Sequence, residues 1–454
     1  MAIPQEHSWR YIFHFSDIRN LDSIIKHGLL CTNLKKRKGI KHQNIANMTI
    51  QERRANMDVP VGPGGKVHDY VPFYFSSVNP MLLSKLNQKN VDQPQIIYLC
   101  VKIDCLEKDD AVFTSASANT SEPPMFYDDV VHLNDLSWDL IDSWKWKMPT
   151  EEDKHKKMAE ALIYDHIGID EVDAIVVYNS EVRKEVEKIF KDNHVKAPAI
   201  LFDHDSKIKK YSFYYTKFFF KDRKNETLVV GPDCLLDEYH KLIDYIKSER
   251  QKQKDTYPYK TIKDLVIALD NNFSTLAELK DVEGLMQDYE PHNDTVDDHT
   301  KKVVAEMKQQ DYFKSASEDK KNILLLASYL HDMGKGPKNK WKQGKMAGAY
   351  LDHPLDAIPM LARILTEEIE NITDEEIRLV CMLVVYHDIV GDCMMKERDK
   401  SQIVKIIVNE EDLDMLFAIA YADVEAIQMF WGLDLLCKKE AFFKEIMELK
   451  QGLQ

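Results

Sequence analysis

Residues 323–335 have the sequence Ile-Leu-Leu-Leu-Ala-Ser-Tyr-Leu-His-Asp-Met-Gly-Lys, and this stretch sets the character of the second half of the chain. Its first eight residues are largely apolar and predict a buried helix. We expect that helix to end at His331 and Asp332, because Gly334 and Lys335 follow at once. Adjacent side chains point apart on a regular helix, but at a helix end both can turn towards one ion. The stretch therefore predicts a helical fold with a polar site at a helix terminus.

The helical period of 3.6 residues dominates from about residue 260 to the end of the chain, and strand signals are scarce there. We predict helices near Asp297–Gln309, Lys320–His331, Pro354–Glu370, Asp374–Tyr386, Ser401–Val408 and Glu411–Met429. The fold expected for residues 259–454 is therefore an all-α domain.

Metal-binding residue types accompany these helices. His299 lies upstream of the His331-Asp332 pair, and His353, His387 and Asp423 lie downstream. Imidazoles with carboxylates suit first-row divalent metals such as Fe, Mn, Zn, Co or Ni. Without thiolates, a closed structural zinc site is not indicated. Two metals bridged by a carboxylate, for which Asp332 is the candidate, would hold a hydroxide in line with a phosphorus atom.

The first 220 residues show a mixed α and β pattern. An apolar run at Ile96–Val101 predicts a buried strand, and helical periodicity predicts helices at Leu21–His27 and Ser180–Asp192. Residues 111–129 are rich in Ser, Thr, Ala and Pro and predict a long loop. We expect an α+β domain over residues 1–220.

The junction between the two parts is expected at residues 221–258. Residues 221–226 are charged, and Leu235–Lys254 has the pattern of an amphipathic helix. The residues Asp255-Thr256-Tyr257-Pro258 then end that helix. We therefore predict a helical linker between the two domains.

Charge is distributed unevenly along the chain, whose net charge is −15. Residues 1–220 hold 29 basic and 31 acidic residues, whereas the remainder holds 32 and 45. The densest basic run, Lys35–Lys38, can meet phosphates or form a solvated loop. The acidic second half is a poor non-specific ligand for nucleic acid and is compatible with bound cations.

Several residues of the first half suggest a site only when they are taken together. An alternating strand points His14 and Ser16 to one face. The pair Arg53-Arg54 precedes an aromatic run that contains Tyr74, and Glu160 opens a later apolar run. Taken singly, each of these residues has an ordinary structural explanation.

Together these residues resemble the DarT family of NAD-consuming ADP-ribosyltransferases. The resemblance covers about 210 residues and runs through His14–Ser16, Ile50–Arg54, Val59–Gly65, His68–Phe75, Asn79–Leu82 and Met158–Leu162. It implies that NAD is the co-substrate and that the acceptor is a nucleic-acid base, most often in single-stranded DNA. An unstacked base is reachable without the cost of opening a duplex.

The resemblance also implies roles for individual residues. His14 and Ser16 would hold the nicotinamide ribose or the adenosine side of NAD, and Tyr74 would stack on nicotinamide. Glu160 would bind the ribose 2′-OH and stabilise the oxocarbenium-like state that forms as nicotinamide departs.

Two points of this resemblance leave alternatives open. Either Arg53 or Arg54 would contact an NAD phosphate or help the acceptor nitrogen lose its proton. In the family, the segment after Phe113-Thr114 carries Asp-Gly and then His or Asn, whereas this chain has Ser115-Ala116-Ser117-Ala118-Asn119. Because that loop lies where the family reads its acceptor, the acceptor base and the choice of DNA stay open.

The second half resembles the HD superfamily of metal-dependent phosphohydrolases, chiefly through Leu330–Lys335. The resemblance implies a first metal bound by His299, His331, Asp332 and Asp423. A second metal would be completed by His353 and His387 around Asp332, and Lys335 would contact a phosphate. A mononuclear site would use only the first four ligands.

Two functional hypotheses follow. In the first, a bifunctional enzyme ADP-ribosylates a nucleic acid with one domain and hydrolyses a nucleotide or another phosphoester with the other. It would be a toxin–antitoxin or phage-defence module with a built-in antagonist. In the second, the HD domain is the only enzyme, and the first domain senses NAD or nucleic acid. The presence of Glu160 and the arginine pair favours the first hypothesis.

The expected location is the cytoplasm, without a membrane partner. No run of about 18 apolar residues is present, and the polar start lacks the pattern of a signal peptide. The seven scattered cysteines include no Cys-x-x-Cys pair and are typical of reduced thiols.

Overall fold

The computed structural model describes residues 2–43, 48–120, 122–143, 145, 148–202, 230–252 and 256–452. The chain forms two compact units: a first unit of residues 1–87 and 91–229, and a second unit of residues 88–90 and 230–454. The start of the predicted linker, residues 221–229, lies outside the described residues. Residues Pro232–Arg250, where we expected the linker helix, are a helix of the second unit, because Leu235, Leu242 and Ile246 are buried in its core.

The first unit is built on β-strands, two of which pair separately from the main sheet. The strands are β1 (Tyr11–Asp17), β2 (Leu29–Leu30), β3 (Tyr70–Tyr74), β4 (Ile96–Lys102), β5 (Ala111–Thr114), β6 (Phe126–Tyr127), β7 (Glu160–Tyr164), β8 (His166–Ile167), β9 (Ala174–Val176) and β10 (Ala199–Leu201). The main sheet has the order β10-β9-β4-β1-β3-β7-β5-β6, and β2 pairs with β8. Only β9 and β10 run parallel in the main sheet as described, so the sheet is mixed.

Short helices surround this sheet. They are α1 (Leu21–His27), α2 (Thr32–Arg37), α3 (Met48–Asn56), α4 (Pro80–Asn87), α5 (Trp138–Ile141), α6 (Glu151–Lys157) and α7 (Ser180–Asp192). The predictions of α1, α7 and the strand at residues 96–101 are confirmed. The prediction of a continuous loop over residues 111–129 is partly wrong, because β5 and β6 form its ends. All four residues of β5 are buried, so their lack of charge reflects an inner strand.

Side chains of β1 contribute to two separate hydrophobic clusters of the first unit. Ile12 belongs to the cluster beneath α1 and α7, whereas Phe13 and Phe15 belong to a second cluster with Tyr98. Successive side chains of a strand point to opposite faces, so this strand contributes to both clusters.

The second unit is mostly helical. Its helices are α8 (Pro232–Arg250), α9 (Ile262–Asn271), α10 (Ala277–Val282), α11 (Val296–Gln309), α12 (Asp311–Ser315), α13 (Glu318–Leu330), α14 (His353–Glu367), α15 (Asp374–Val385), α16 (Ile389–Met395), α17 (Ser401–Ile406), α18 (Glu410–Ile427) and α19 (Met429–Gly452). The six helices predicted beyond residue 290 are present as α11, α13, α14, α15, α17 and α18. The expectation of an all-α domain needs one correction, since β11 (Met286–Gln287) and β12 (Lys345–Met346) form a two-stranded parallel sheet.

The helix α13 contains the apolar run on which the prediction of a helical second half was based. Every residue from Ile323 to Leu330 is buried, as the run of apolar residues predicts. Across the described part of the chain, no helix is long and apolar enough to cross a membrane.

Candidate functional sites

The first unit contains a cleft of about 290 Å³ between β1, β3 and the helices α1 to α3. Its walls bring together four of the predicted residues, His14, Ser16, Arg54 and Tyr74. Ser16 is buried, and its hydroxyl oxygen accepts a hydrogen bond from Asn20 Nδ2 at 3.2 Å.

The cleft is electropositive. Lys35, Lys36 and Arg54 line it, and none of its described lining residues is an aspartate or glutamate. Burial lowers the pKa of Lys35. A cleft with cations and no acidic lining concentrates anions.

Glu160 opens β7 and is fully buried directly behind the cleft wall. Its Oε1 accepts hydrogen bonds from Arg54 Nη1 (2.8 Å), Ala118 N (2.8 Å) and Ser117 Oγ (3.3 Å). Its Oε2 is buried and has no hydrogen-bond partner among the described residues. One carboxylate oxygen is thus anchored, and the other retains its capacity to accept.

The helix α3 separates the two candidate arginines. Neighbouring residues of a helix lie about 100° apart around its axis. Arg54 is buried against Glu160, whereas Arg53 is exposed. Burial alone would lower the pKa of Arg54, but the adjacent Glu160 carboxylate raises it overall. The structure thus brings Arg54, and not Arg53, to the cleft.

His14 and Tyr74 are held in fixed orientations. His14 Nδ1 lies 2.8 Å from Pro72 O, and burial lowers the pKa of His14 to about 4. The ring is therefore neutral at pH 7, and its Nδ1–H donates to that carbonyl. Tyr74 stacks on Phe15 with a centroid distance of 5.9 Å, and burial raises its pKa. In the strand register, the Cα of Tyr74 lies opposite that of Glu160.

Sequence reasoning missed Ser117 and Ala118 as partners of Glu160. Both belong to the segment that departs from the family pattern, and Ala118 acts through its backbone N–H. A backbone donor has no residue-type signature. The length and composition of the loop were the available signal, because long loops inside compact domains are usually functional.

The second unit contains a buried cluster of histidine and aspartate side chains. They lie at or next to the ends of α13, α14, α15 and α16 and within α11 and α18. The cluster contains all the predicted ligands, His299, His331, Asp332, His353, His387 and Asp423. The ligand atoms of His299, His331 and Asp332 lie within 4.8 Å of one another, as do those of Asp332, His353 and His387. Asp388, which we did not predict as a ligand, forms a further group with His387 and Asp423.

The donor set fits a divalent metal. The Nδ1 atoms of His331, His353 and His387 each lie 2.6 to 2.8 Å from the carbonyl oxygen three residues earlier. With Nδ1 donating, each Nε2 carries a lone pair when the ring is neutral. His353 Nε2 and His387 Nε2 nevertheless lie 3.0 Å apart, and His331 Nε2 is buried without a hydrogen-bond partner among the described residues. Converging lone pairs of this kind are satisfied by a cation.

Asp332 lies between the two histidine sets. Its Oδ1 is 3.5 Å from His353 Nε2, and its Oδ2 is 3.3 Å from His331 Nε2. Lys335 Nζ donates to Asp332 Oδ2 at 2.6 Å and to Gln287 Oε1 at 2.9 Å. Burial would raise the pKa of Asp332, but the charge of Lys335 holds it well below its usual value. Gln287 carried no signal in the sequence.

Comparison with known proteins gives consistent matches for the first unit. Residues 13–209 match the family model described as "ssDNA thymidine ADP-ribosyltransferase, DarT". A DNA ADP-ribosyl transferase of Thermus sp. (strain 2.9) is 35% identical over 185 residues, which cover 40% of this chain and 87% of that protein. One from Thermus aquaticus is 31% identical over 213 residues, covering 45% and 89%. The structure of Thermus sp. 2.9 DarT in complex with ADP-ribosylated ssDNA matches with TM-score 0.40 and 32% identity, over 45% of this chain and 98% of that one.

Proposed function

This chain belongs, through its first unit, to the DarT family of DNA ADP-ribosyltransferases, and we propose that it transfers ADP-ribose from NAD to a base of single-stranded DNA. The observation that carries this proposal is the Glu160 carboxylate, which is anchored through Oε1 and whose buried Oε2 has no hydrogen-bond partner among the described residues. Such a group binds a ribose hydroxyl without losing its fixed position.

In this reaction the bond between nicotinamide and C1′ of its ribose breaks, and C1′ becomes bonded to a base nitrogen. The products are the modified base, nicotinamide and a proton. Glu160 Oε2 accepts a hydrogen bond from the ribose 2′-OH and places negative charge beside the developing oxocarbenium ion. Arg54 holds Glu160 in place, and its positive charge stabilises the base as that nitrogen loses its proton.

The remaining cleft residues fit NAD. The NAD diphosphate is anionic and suits a cleft lined by Lys35 and Lys36. Neutral His14 presents Nε2 as an acceptor for a ribose hydroxyl. Tyr74 offers an oriented aromatic ring for nicotinamide.

A labelling assay tests this proposal. The full chain is incubated with NAD labelled on its adenylate and with single-stranded DNA, duplex DNA or RNA, beside the Glu160→Ala variant. We expect label on single-stranded DNA that disappears in the variant. Label on RNA alone would change the acceptor, and no label on any acceptor would favour a first unit that only senses NAD or nucleic acid. Homopolymeric oligonucleotides then identify the base.

A second candidate function, favoured by the converging donors of the second unit, is HD-type metal-dependent phosphoester hydrolysis. His299, His331, Asp332 and Asp423 would hold one metal, and Asp332, His353 and His387 would hold another. A bound metal supplies an activated water and polarises a phosphoryl oxygen. Lys335, fixed by Asp332 and Gln287, would orient a substrate phosphate.

Metal analysis of the purified chain and hydrolysis of a nucleotide panel, with and without chelator, test this second function. Hydrolysis that survives chelation would contradict it. An antagonist of the transferase is tested by the variant with both His331→Ala and Asp332→Ala. If the second unit removes the mark, label accumulates in this variant and growth inhibition increases. Unchanged labelling and growth would exclude the antagonist role.

A further inference from the structure

Gln287, in the short strand β11, is a fully buried side chain beside the histidine and aspartate cluster of the second unit. Its Oε1 accepts hydrogen bonds from Lys335 Nζ at 2.9 Å and from Tyr289 Oη at 3.3 Å. Its Nε2 is buried and has no hydrogen-bond partner among the described residues. Leaving a buried polar group unpaired is costly, so an unpaired buried amide marks a place that a ligand can complete.

The segment that follows Gln287 borders the cluster. The His292 ring packs edge-on against that of His299, with centroids 5.7 Å apart and an interplanar angle of 86°. Lys335, which donates to Gln287 Oε1, also donates to Asp332 Oδ2 at 2.6 Å. Because Oε1 and Nε2 are bonded to the same carbon, the unpaired Nε2 lies next to the Lys335 ammonium and one side chain away from Asp332.

The hydrogen bonds already made determine what Gln287 can bind. A side-chain amide has one oxygen with two lone pairs and one nitrogen with two hydrogens. Lys335 and Tyr289 use both lone pairs of Oε1, so the two N–H groups remain. An amide that reads a nucleobase uses its oxygen and its nitrogen together, and here the oxygen is already occupied. The complementary group therefore accepts hydrogen bonds and donates none, as a phosphate oxygen does.

Lys335 adds a positive charge at the same place. An ammonium has three N–H donors, and among the described residues Asp332 and Gln287 accept from two of them. The third N–H of Lys335 and the two of Gln287 are complementary to an anion with several oxygens. The carboxylates of Asp332 and Asp423 repel an anion, and a metal ion bound by them would offset that repulsion. Binding of an anion at this place should therefore depend on bound metal.

We propose that Gln287 is a substrate-binding residue of the second unit, and that its Nε2 donates to a terminal oxygen of the substrate phosphate beside Lys335. This assignment rests on the second candidate function, metal-dependent phosphoester hydrolysis. It gives Gln287 a role beyond that of holding Lys335, because the amide then contacts the substrate itself.

Calorimetric binding of inorganic phosphate to the full chain loaded with Mn²⁺ tests the assignment. The Gln287→Met variant removes both N–H groups without adding charge. Its phosphate binding should weaken roughly 10- to 150-fold, which corresponds to the contribution of about 1.5 to 3 kcal/mol from a hydrogen bond to a charged group. Gln451→Met, at the exposed end of α19, is the matched control and should bind phosphate as the wild type does.

A second variant separates contact with phosphate from support of Lys335. Gln287→Glu retains an oxygen that accepts from Lys335 and Tyr289 but carries no N–H group. If Gln287 only holds Lys335, this variant should recover the phosphate affinity that Gln287→Met loses. Under the assignment, Gln287→Glu binds phosphate at least as weakly as Gln287→Met. Bound Mn²⁺ is measured in parallel by mass spectrometry, and loss of metal together with phosphate would show a structural role and overturn the assignment.

If Gln287→Met does not fold, Gln287→Glu decides, and wild-type phosphate affinity in that variant overturns the assignment. A wild-type chain that binds no divalent metal overturns both this assignment and the second candidate function. A wild-type chain that binds Mn²⁺ and hydrolyses nucleotides, but whose phosphate affinity is independent of residue 287, overturns the assignment alone.

Discussion

The cleft of the first unit presents cations and neutral histidines, whereas the cluster of the second unit presents carboxylates and histidine lone pairs. The two regions would therefore attract ligands of opposite charge. Under the proposed functions, the anionic diphosphate of NAD would bind in the first region and a divalent metal in the second.

The acid of each site sharpens this comparison. Glu160 Oε1 is paired with Arg54 at 2.8 Å, and Asp332 Oδ2 is paired with Lys335 at 2.6 Å. The second oxygen differs: Oδ1 of Asp332 faces His353 at 3.5 Å, whereas Oε2 of Glu160 has no partner among the described residues. Under the proposed functions, Asp332 would bridge two metal ions and Glu160 would accept a hydrogen bond from a ribose hydroxyl.

The largest effect is expected from Glu160→Gln. The amide keeps the shape of the side chain but removes the negative charge beside the forming oxocarbenium ion, so kcat for DNA labelling should fall by about 10²- to 10³-fold. Glu187→Gln, an exposed helix glutamate paired with Arg183, is the control and should label normally. Retention of more than a tenth of wild-type kcat by Glu160→Gln would contradict the role of this charge.

Asp332→Asn tests whether the histidine and aspartate cluster of the second unit binds a metal. Loss of a bridging carboxylate should reduce metal affinity by at least about 100-fold, since even residues that only orient ligands contribute 10- to 100-fold. Metal content after dialysis, measured by mass spectrometry, checks this expectation. The exposed Asp434→Asn is the matched control. Equal metal content in both variants would exclude Asp332 as a ligand.

Arg54→Ala and Arg53→Ala compare two neighbours on one helix. Only Arg54 donates to Glu160, and a hydrogen bond to a charged group contributes about 1.5 to 3 kcal/mol. We expect a 10- to 150-fold loss of labelling for Arg54→Ala, by the usual conversion of free energy to rate. The loss for exposed Arg53→Ala should be much smaller. Similar losses of labelling in the two variants would contradict the explanation that Arg54 acts through its buried hydrogen bond to Glu160.

The sequence predicts well the features that depend on residue type or on the spacing of apolar residues along one element. The amphipathic pattern of α7 predicts its bounds because one stripe of Val182, Val186 and Phe190 faces the core. His331 and Asp332 are rare types at the end of an apolar helix, so the sequence can single them out as candidate metal ligands before the fold is known.

Features that depend on how elements pack together cannot be predicted from the sequence of one element. The choice between Arg53 and Arg54 depends on how α3 is rotated against the sheet, which no pattern within the helix specifies. Ala118 donates a hydrogen bond to Glu160 through its backbone N–H, which every residue type except proline carries. That Gln287 Nε2 has no partner among the described residues appears only once the surroundings of this side chain are assembled.

The smallest expected effect is the contribution of two cleft histidines to the pH dependence of stability. Burial lowers the pKa of both His14 and His68 to about 4, while an unfolded histidine titrates near 6.5. The unfolded chain therefore binds protons first, so this stability is complete above pH 6.5 and is lost as pH falls towards 4. Each histidine contributes up to about 1.4 kcal/mol per pH unit to the free energy of unfolding. Urea unfolding of the full chain at pH 7 and pH 5 measures the loss, and His68→Leu should reduce it relative to the wild type, because one of the histidines with a lowered pKa is then removed. An identical loss in both proteins would show that burial does not lower the pKa of His68 in the folded state.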